Sequence, residues 1–537
     1  MSTPWNPPAS LLPHEERLCK KLEKHRRFFR FLRLHRTAIF ADGFQEQLAS
    51  LYSDCPRGTP PKPPAQLALA LLLQAYSGVS DDDVILLTET DLRWQMVLDC
   101  WGAESAPFKK STFVDFRSRL VRSRFADALL RRTVELALQS NDFDPKKLKP
   151  LRVALDSFPL EGAGRVEDSL NLLARALRVL VATTAAFLAM PPQQIYAEAG
   201  LRILAASSPK TGMDRDWDRP GSQEEALNDL LLEVDHMRVW MTGQRMELHQ
   251  QRVVNQAQEQ LQRVLEQNAE ARAIGGFRFK QEVAVERQLS LFDPEIRHGR
   301  KSKTQRIDGY KVYVAQEMTH DVTLAVAVLP ANQHEKHGAD RLREAVCSYA
   351  EVEQLHVDRG FLNSVWVTEK AAQAVDSVVC RAPAIAPSPY YNKRDFLVDF
   401  ERQIVRCPAG KEAPIEQKVR SEAAFGAKVC RPCSQRSACQ NPKTNPGRRV
   451  ILVPSEALLR HANQQTKTRE GRAALRERVV VEHANARMLR RYGKKARYRG
   501  IEKNDLDAAR IAAVNNLMLM DRTLRTRSIP RPIAQAA

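Results

Sequence analysis

The residues PLRVALDSFPLEG, numbers 150 to 162, constrain the fold most, because a β-strand pattern there interrupts a long helical stretch. Before them, runs such as QLALALLLQAYSGVS place apolar residues three to four positions apart, which is helical spacing. After Pro150 a short β-rich run ends in a turn containing Pro and Gly. The chain is therefore predicted to be neither all-helical nor all-β.

Further strands are predicted later in the chain, in GYKVYVAQEM, VTLAVAVLP and EQLHVDRGF, with a helix around ADRLREAVCSYAEV between the last two. A chain of 537 residues also exceeds the size of a single hydrophobic core. The predicted fold class is a multidomain, mixed α/β protein, with helical insertions in its sheet region and an all-helical N-terminal domain.

Seven units are predicted. Residues 1–148 form a helical domain for DNA binding or oligomerisation, although a plain helical bundle suits the same pattern. The others are a first strand of the sheet domain (149–165), a helical insertion (166–285), the remaining strands and helix of that domain (286–388), a cysteine-containing insertion (389–455), basic C-terminal helices (456–525) and a loose tail (526–537).

Three helix starts are predicted from capping residues. Ser80 and Ser111 precede DDDV and TFVDFRSRL, and both are residues that favour the N-cap position. Ser222 with Glu225 forms the S-x-x-E pattern of a capping box.

The net charge of +19 and the pI of about 9.6 favour a polyanionic partner, of which nucleic acid is the commonest, although a basic surface also serves solubility. The longest uncharged apolar stretch, Val179 to Met190, is too short to cross a bilayer of roughly 30 Å. The N-terminus MSTPWNPPAS has no signal-peptide pattern. A cytoplasmic protein is expected.

Three carboxylates are candidates for a metal site. Strand alternation sets Asp156 on the face opposite Val153 and Leu155. In EQLHVDRGF it likewise sets Asp358 on the face opposite Leu355 and Val357. Glu482 lies in a basic helix, away from that helix's apolar positions. Hard divalent cations prefer such oxygen ligands, and two of them about 4 Å apart support phosphodiester cleavage and exchange.

Each carboxylate also has an ordinary explanation. Asp156 can begin a turn, Asp358 can cap the segment after its strand, and Glu482 stands four residues after Arg478, which is a common surface ion pair. Spacing alone leaves both interpretations open.

Four of the nine cysteines lie within about 35 residues, at Cys407, Cys430, Cys433 and Cys439. Four thiolates match a tetrahedral structural Zn²⁺ site, but a second C-x₂-C pair is absent. Reduced, metal-free cysteines therefore remain an alternative. The odd, small number of cysteines argues against a disulfide scaffold.

A basic segment around and after Glu482 is a candidate for DNA-phosphate contacts, and a solvated basic face is its alternative. Its cations are Arg478, Arg487, Arg490, Arg491, Lys494, Lys495, Arg497 and Arg499, with Tyr492 and Tyr498 among them. Lys311 is a weaker candidate, because it can equally protect a sheet edge.

Several ordered blocks resemble the DDE transposases of bacterial insertion sequences. LDSFPLEGAGRVEDSLNLLARAL is similar to the family's first-Asp block, HVDRGFLNS to its second-Asp block, and ERVVVEHANARMLRRYGKKARYRG to its Glu block. FDPEIRHGRKSKTQRIDGYKVYVA resembles the segment that leads into the next strands, and SDDDVILLTETDLRWQMVL with STFVDFRSRL resembles the helical N-terminal domain. The resemblance implies that Asp156, Asp358 and Glu482 are catalytic.

The same resemblance implies an RNase H-like sheet with two Mg²⁺ or Mn²⁺ ions on those carboxylates. It implies an enzyme that cuts the ends of an insertion sequence and joins the 3′-hydroxyl ends to target DNA, acting at the nucleoid. Terminal inverted repeats and target duplex are then its partners, and bringing two ends together requires a dimer or larger assembly. The alternatives are a catalytically inactive DNA-binding regulator derived from a transposase and a nuclease that cuts without joining.

One departure from the family pattern lies beside Glu482. Related enzymes often carry a Tyr and an Arg before the Glu and a basic residue after it, a set associated with handling the DNA end. Arg478 fits this set, but Leu475 stands where the Tyr would be and Arg490 lies one residue beyond the basic position. A hairpin-type mechanism is therefore not carried over.

Overall fold

The computed structural model describes residues 3–23, 26–52, 60–139, 150–273, 275–281, 286–300, 304–382, 387–417, 421–441 and 446–528. The predicted domain boundary at 148/149 lies outside the described residues, as do residues 301 and 302 of the GRKS string and residues 529–537 of the predicted tail.

The N-terminal region is helical, as the apolar spacing predicts. Ser80 caps its helix as expected, since its hydroxyl accepts from the Asp83 amide at 3.1 Å. The prediction for Ser111 is wrong, because that helix begins at Lys110 with Lys109 as its N-cap. The helices are Pro13–Leu22, Phe28–Ile39, Asp42–Ala49, Pro64–Ser77, Asp81–Thr90, Leu92–Leu98, Lys110–Arg122 and Ala128–Gln139.

A mixed sheet forms the centre of the molecule, in the order β4-β5-β1-β7-β8, with β6 also paired to β5. Strand β5 is antiparallel to β1, β4 and β6, whereas β7 is parallel to both β1 and β8. The strands predicted at residues 150–162, 309–318, 322–330 and 353–361 are present. The bounds are β1 Leu151–Glu161, β4 Arg297–Arg300, β5 Arg306–Glu317, β6 Thr323–Pro330, β7 Val352–Val357 and β8 Val378–Cys380.

Two helices follow the strands of this sheet and cover it. Glu335–Cys347 connects β6 to β7, and Val365–Gln373 connects β7 to β8. The first helix packs so closely on β5 that a side-chain carbon at Gly338 would lie 2.0 Å from the Tyr313 ring. Short 3₁₀ turns occupy Arg359–Phe361 and Val375–Ser377.

The helical insertion between β1 and β4 has a hydrophobic core of its own. Its helices are Ser169–Leu188, Pro192–Glu198, Arg202–Ala205, Pro209–Met213, Ser222–Thr242 and Leu248–Asn268, with a small hairpin of β2 Ala269–Ala271 and β3 Phe277–Phe279. The predicted cap at Ser222 is wrong, because Gly221 is the N-cap and Ser222 is the first helical residue.

Among the described residues, the helix Ser169–Leu188 is long and apolar enough to cross a membrane by length and composition. Its apolar side chains, including Leu177, Leu180 and Val181, are buried in the core of the insertion. Packing against the neighbouring helices therefore accounts for its composition.

The cysteine-containing segment folds as a five-stranded antiparallel sheet in the order β13-β12-β11-β10-β9, with two short helices. The strands are β9 Leu397–Asp399, β10 Ile404–Arg406, β11 Glu412–Gln417, β12 Ser421–Phe425 and β13 Arg448–Leu452. The helices are Ala427–Cys430 and Arg436–Cys439, and a 3₁₀ turn occupies Lys393–Asp395. We call residues 391–452 the cysteine module.

The C-terminal helices are Glu456–Gln465, Arg469–Glu477, Val479–Tyr492 and Ile501–Ser528. We call the third of these the Glu482 helix and the last the terminal helix. Small residues such as Ala509 and Ala512 are buried along the terminal helix, which lets it approach β6 and the N-terminal helices closely. Asn516 of the terminal helix connects an N-terminal helix to β6, because its Nδ2 donates to Thr133 Oγ1 at 3.1 Å and to the Thr323 carbonyl at 2.9 Å. The N-terminal helices and the sheet therefore share one hydrophobic core.

Candidate active site

The register of two parallel strands brings two predicted carboxylates to one place. In the pairing of β1 with β7, Ala154 is opposite His356. Asp156 is two residues beyond Ala154 in β1, and Asp358 is two residues beyond His356, immediately after the end of β7. Neighbouring strands lie roughly 4.8 Å apart, so both carboxylates occupy the same edge of adjoining strands.

The Glu482 helix packs across β1 and contacts Asp156 from two helix positions. Arg478 Nη2 donates to Asp156 Oδ1 at 2.8 Å, and Asn485 Nδ2 donates to Asp156 Oδ2 at 2.9 Å. The same guanidinium reaches Glu482, since Arg478 Nη1 lies 3.5 Å from Glu482 Oε1. Arg478 therefore bridges the first Asp and the Glu of the predicted set.

The electrostatics show that the three carboxylates share one environment. Burial raises the pKa of Asp156, and the charges of Asp358 and Glu482 raise that pKa further, whereas the Arg478 charge lowers it. The side chain of Asp156 is 21% exposed, while that of Glu482 is 57% exposed. Negative charge is thus crowded at a partly buried position, with Arg478 as its countercharge.

Three carboxylates are hard oxygen donors, which suits Mg²⁺ or Mn²⁺. Within the part of the chain that the structure describes, no three His, Cys, Asp or Glu side chains form a group ready to hold a metal ion. In this structure the Arg478 guanidinium supplies positive charge beside Asp156 and Glu482.

The basic turn after the Glu482 helix is fixed to the far end of β1. The Glu161 amide donates to the Lys494 carbonyl at 2.9 Å, and the Ala496 amide donates to the Glu161 carbonyl at 2.7 Å. Asp156 and Glu161 are five residues apart, which is roughly 17 Å along a strand. One strand therefore sets the distance between the carboxylates and the basic turn.

The predicted DNA-contacting cations divide into two groups. Arg490, Lys494, Lys495 and Arg499 are exposed. Arg478 contacts Asp156 and Glu482, as described above. Another four make internal contacts: Arg487 with Asp321 at 2.6 Å, Arg491 with the Tyr76 carbonyl at 3.0 Å, Arg497 with the Val79 carbonyl, and Lys311 with Glu335 at 2.9 Å. Burial lowers the pKa of Arg491. These four side chains tie elements of the fold together in this structure.

Asn485 is a residue of this site that sequence reasoning missed. It is 6% exposed, and its Oδ1 has no hydrogen-bond partner among the described residues. The signal for it was present in the sequence, because Arg478, Glu482 and Asn485 stand at positions i, i+4 and i+7. That spacing places all three on one face of a helix.

The four cysteines of the cysteine module line one cleft, and all four are partly buried, free thiols. This cleft is separate from the carboxylates and belongs to a different sheet.

Two family models match the chain. A model described as "Transposase DDE domain" matches residues 406–520, a range that includes Glu482 and the four cysteines. A second model, described as "Transposase domain (DUF772)", matches residues 13–119. Comparison with curated proteins gave no match, and neither did comparison with solved structures.

Proposed function

The two matches identify the chain as a DDE transposase of the insertion-sequence kind, and from this premise we propose that it cuts the ends of its element and joins them to target DNA. The proposal is supported by the placement of Asp156 and Asp358 at the ends of adjacent parallel strands and by the contacts of Arg478 with both Asp156 and Glu482. The mixed sheet, in which the two Asp-bearing strands are adjacent and parallel, supports the RNase H-like fold.

In this proposal Asp156, Asp358 and Glu482 would hold two Mg²⁺ or Mn²⁺ ions. Such ions activate an attacking oxygen and stabilise the leaving oxygen of an in-line phosphodiester displacement. Arg478 pairs with Asp156 and Glu482. With metal bound at the carboxylates, its guanidinium would be free for a DNA phosphate, a ligand that it suits through paired hydrogen bonds.

Two displacements give the overall reaction. Water attacks a phosphodiester at the end of the element, its P–O bond to the 3′-oxygen breaks, and that oxygen leaves as a 3′-hydroxyl. The new hydroxyl then attacks a phosphodiester of the target, which forms one P–O bond and releases a target 3′-hydroxyl. The number of phosphodiester bonds is unchanged by the second step, so no energy source is needed for joining.

The exposed cations Arg490, Lys494 and Lys495 hold the duplex beside these carboxylates. The separation of roughly 17 Å along β1 corresponds to about five base pairs at 3.4 Å each. Contacts to phosphate position the substrate without reading its sequence. Lys311, Arg487, Arg491 and Arg497 support this surface through their internal contacts.

The partners in this proposal are the terminal inverted repeats and a target duplex, which places the protein at the nucleoid in the cytoplasm. Two element ends must react together, so the active form is a dimer or a larger assembly on DNA. The net charge of +19 favours this association.

The test is cleavage and strand transfer of a labelled duplex that carries the flanking inverted repeat, with Mg²⁺ or Mn²⁺. Asp358→Asn and Asp358→Ala are expected to abolish both products while binding of the repeat remains. Asp235→Asn is the matched control, because Asp235 is an exposed Asp of the helical insertion. Native protein that binds the repeat but neither cuts nor joins it is a regulator, and native protein that cuts without joining is a nuclease.

A further inference from the structure

The cysteine module has a small hydrophobic core for its size. Among its described residues, five short strands and two four-residue helices enclose seven buried hydrophobic residues, two of which are alanines. A module of about 60 residues with so little buried apolar surface usually needs a disulfide or a metal to hold it together. All four of its cysteines are free thiols, so disulfides do not supply that link here.

The four cysteines approach one another from three short local turns. Cys407 begins a tight turn, in which its carbonyl accepts from the Gly410 amide at 2.9 Å and its amide donates to the Lys411 carbonyl at 2.8 Å. Gly410 has φ +77°, a conformation that favours glycine. Cys430 and Cys433 flank a second turn, and Cys439 ends the short helix that follows it.

The lining of the cleft decides which kind of ligand it suits. Besides the four cysteines, the cleft is lined by three positively charged residues, Lys411, Arg436 and Arg448. No Asp or Glu is among the described lining residues. Thiolates select soft or borderline metals over Mg²⁺ and Ca²⁺. A zinc ion with four thiolates carries a net charge of −2, and three neighbouring cations compensate that charge.

We propose that this cleft binds one structural Zn²⁺ through Cys407, Cys430, Cys433 and Cys439. No group of three potential ligands is at coordination distance in the described structure, so zinc binding would have to bring the four sulfurs closer together. Zn–S bonds are about 2.3 Å long. The proposal concerns a site distinct from the carboxylates and does not depend on the proposed function.

Metal binding would affect the arm that leads to Glu482. The module is joined to the helix Glu456–Gln465 by Lys393, whose Nζ lies 2.5 Å from Glu456 Oε2. Arg460 of that helix donates to the Phe396 carbonyl at 2.8 Å. This helix precedes Arg469–Glu477 and then Arg478, so zinc stabilises the base from which the Glu482 helix starts.

The first test is the metal content of the purified full chain, without added metal, by mass spectrometry. About one zinc per chain is expected, released when a mercurial reagent modifies the thiols. After replacement by Co²⁺, the absorption spectrum should show thiolate-to-cobalt charge transfer and the visible bands of a tetrahedral site. These readouts use native protein, so a poorly folding variant cannot obscure them, and they are independent of DNA cleavage.

Variants then assign the ligands. Cys433→Ser should lose most of the zinc, whereas Cys433→His should retain about one ion with weaker charge-transfer absorption, since three thiolates and one imidazole also form a zinc site. Cys347→Ser is the control, because Cys347 is exposed and lies outside the module. Protein with no zinc and no cobalt charge-transfer band, or with iron in the site, would overturn the proposal.

Discussion

Asn485 donates its side-chain amide to Oδ2 of Asp156 at 2.9 Å, from a position almost one helical turn beyond Glu482. Arg478 donates to the other oxygen of the same carboxylate. The Glu482 helix thus fixes the orientation of Asp156 from two points. Asn485 does so without adding charge, so it can remain in place when a cation replaces the charge of Arg478.

Replacing Asn485 with alanine should slow DNA cleavage about 10- to 100-fold, the usual effect of losing a group that orients a metal ligand. The Mg²⁺ concentration for half-maximal rate should rise, while affinity for the inverted repeat stays unchanged. Single-turnover cleavage over a Mg²⁺ titration measures both quantities. His483→Ala, an exposed neighbour on the same helix, should behave like the native protein. An Asn485→Ala enzyme with native rate and metal dependence would refute the positioning role.

Replacing Arg490, Lys494 or Lys495 singly with glutamine should weaken DNA binding and make it less sensitive to salt. Each lost phosphate contact reduces the slope of log K against log[salt] by about 0.9. Fluorescence anisotropy at several salt concentrations gives the slope.

Arg491→Gln provides the matched contrast on the same helix. Its guanidinium donates to the Tyr76 carbonyl and to Asn515 Oδ1, so this variant should lower thermal stability and leave the salt slope nearly unchanged. If Arg491→Gln changes the slope as much as Lys494→Gln does, the division of these cations into two groups is wrong.

Asp505→Asn should stabilise the protein at neutral pH. Asp505 accepts from the Val328 amide at 2.6 Å, and burial raises its pKa from 3.8 to about 7. A raised pKa means that ionisation opposes folding. The contribution of the protonated group is complete below about pH 4 and is lost as pH rises through about 7, for a total on the order of 4 kcal/mol.

Thermal melting of native protein and of Asp505→Asn between pH 4 and 8 tests this. The variant keeps an acceptor oxygen for Val328, so its Tm advantage should grow with pH. Glu502→Gln, an exposed acidic residue of the same helix, should show no such pH-dependent gain. If the Tm values of native protein and of Asp505→Asn change with pH in parallel, ionisation of Asp505 does not reduce the stability of the fold.

Gly338→Ala should destabilise the fold by about 2 kcal/mol, because its added carbon would lie 2.0 Å from the Tyr313 ring in a packed interior. The control is Gly43→Ala in the helix Asp42–Ala49, where an added carbon meets nothing within 4 Å. That change should leave the Tm unchanged or raise it, since alanine favours helices. Equal Tm values for the two variants would contradict the close packing.

Much of the fold follows from local sequence patterns. Alternation predicts the strands that carry Asp156 and Asp358, and helical spacing predicts the helix that carries Glu482. The pairing of Ala154 with His356 does not follow, because the two residues are about 200 positions apart and register depends on tertiary packing. The proximity of Asp156 and Asp358 could therefore be expected only from the family resemblance.

Basic residues show a second limit of sequence reasoning. Arg490 and Arg491 are adjacent in a basic helix, and composition treats them alike. In the structure Arg490 is exposed, while Arg491 points to the N-terminal helices and contacts Tyr76. Prediction of helix caps has a similar limit. Ser80 caps its helix as predicted, but the N-cap predicted at Ser222 is Gly221, which adopts a positive φ of 86°.

The shared core of the N-terminal helices and the terminal helix has a consequence for how this gene can change. The two matched regions, 13–119 and 406–520, lie far apart along the chain. Arg510 of the second region nevertheless donates to Gln74 of the first, inside the molecule, at 2.5 Å. If recombination replaced one end of the gene with that of a distant relative, the protein would combine two packing surfaces that had evolved separately. The two ends of the gene are therefore expected to be inherited as a pair.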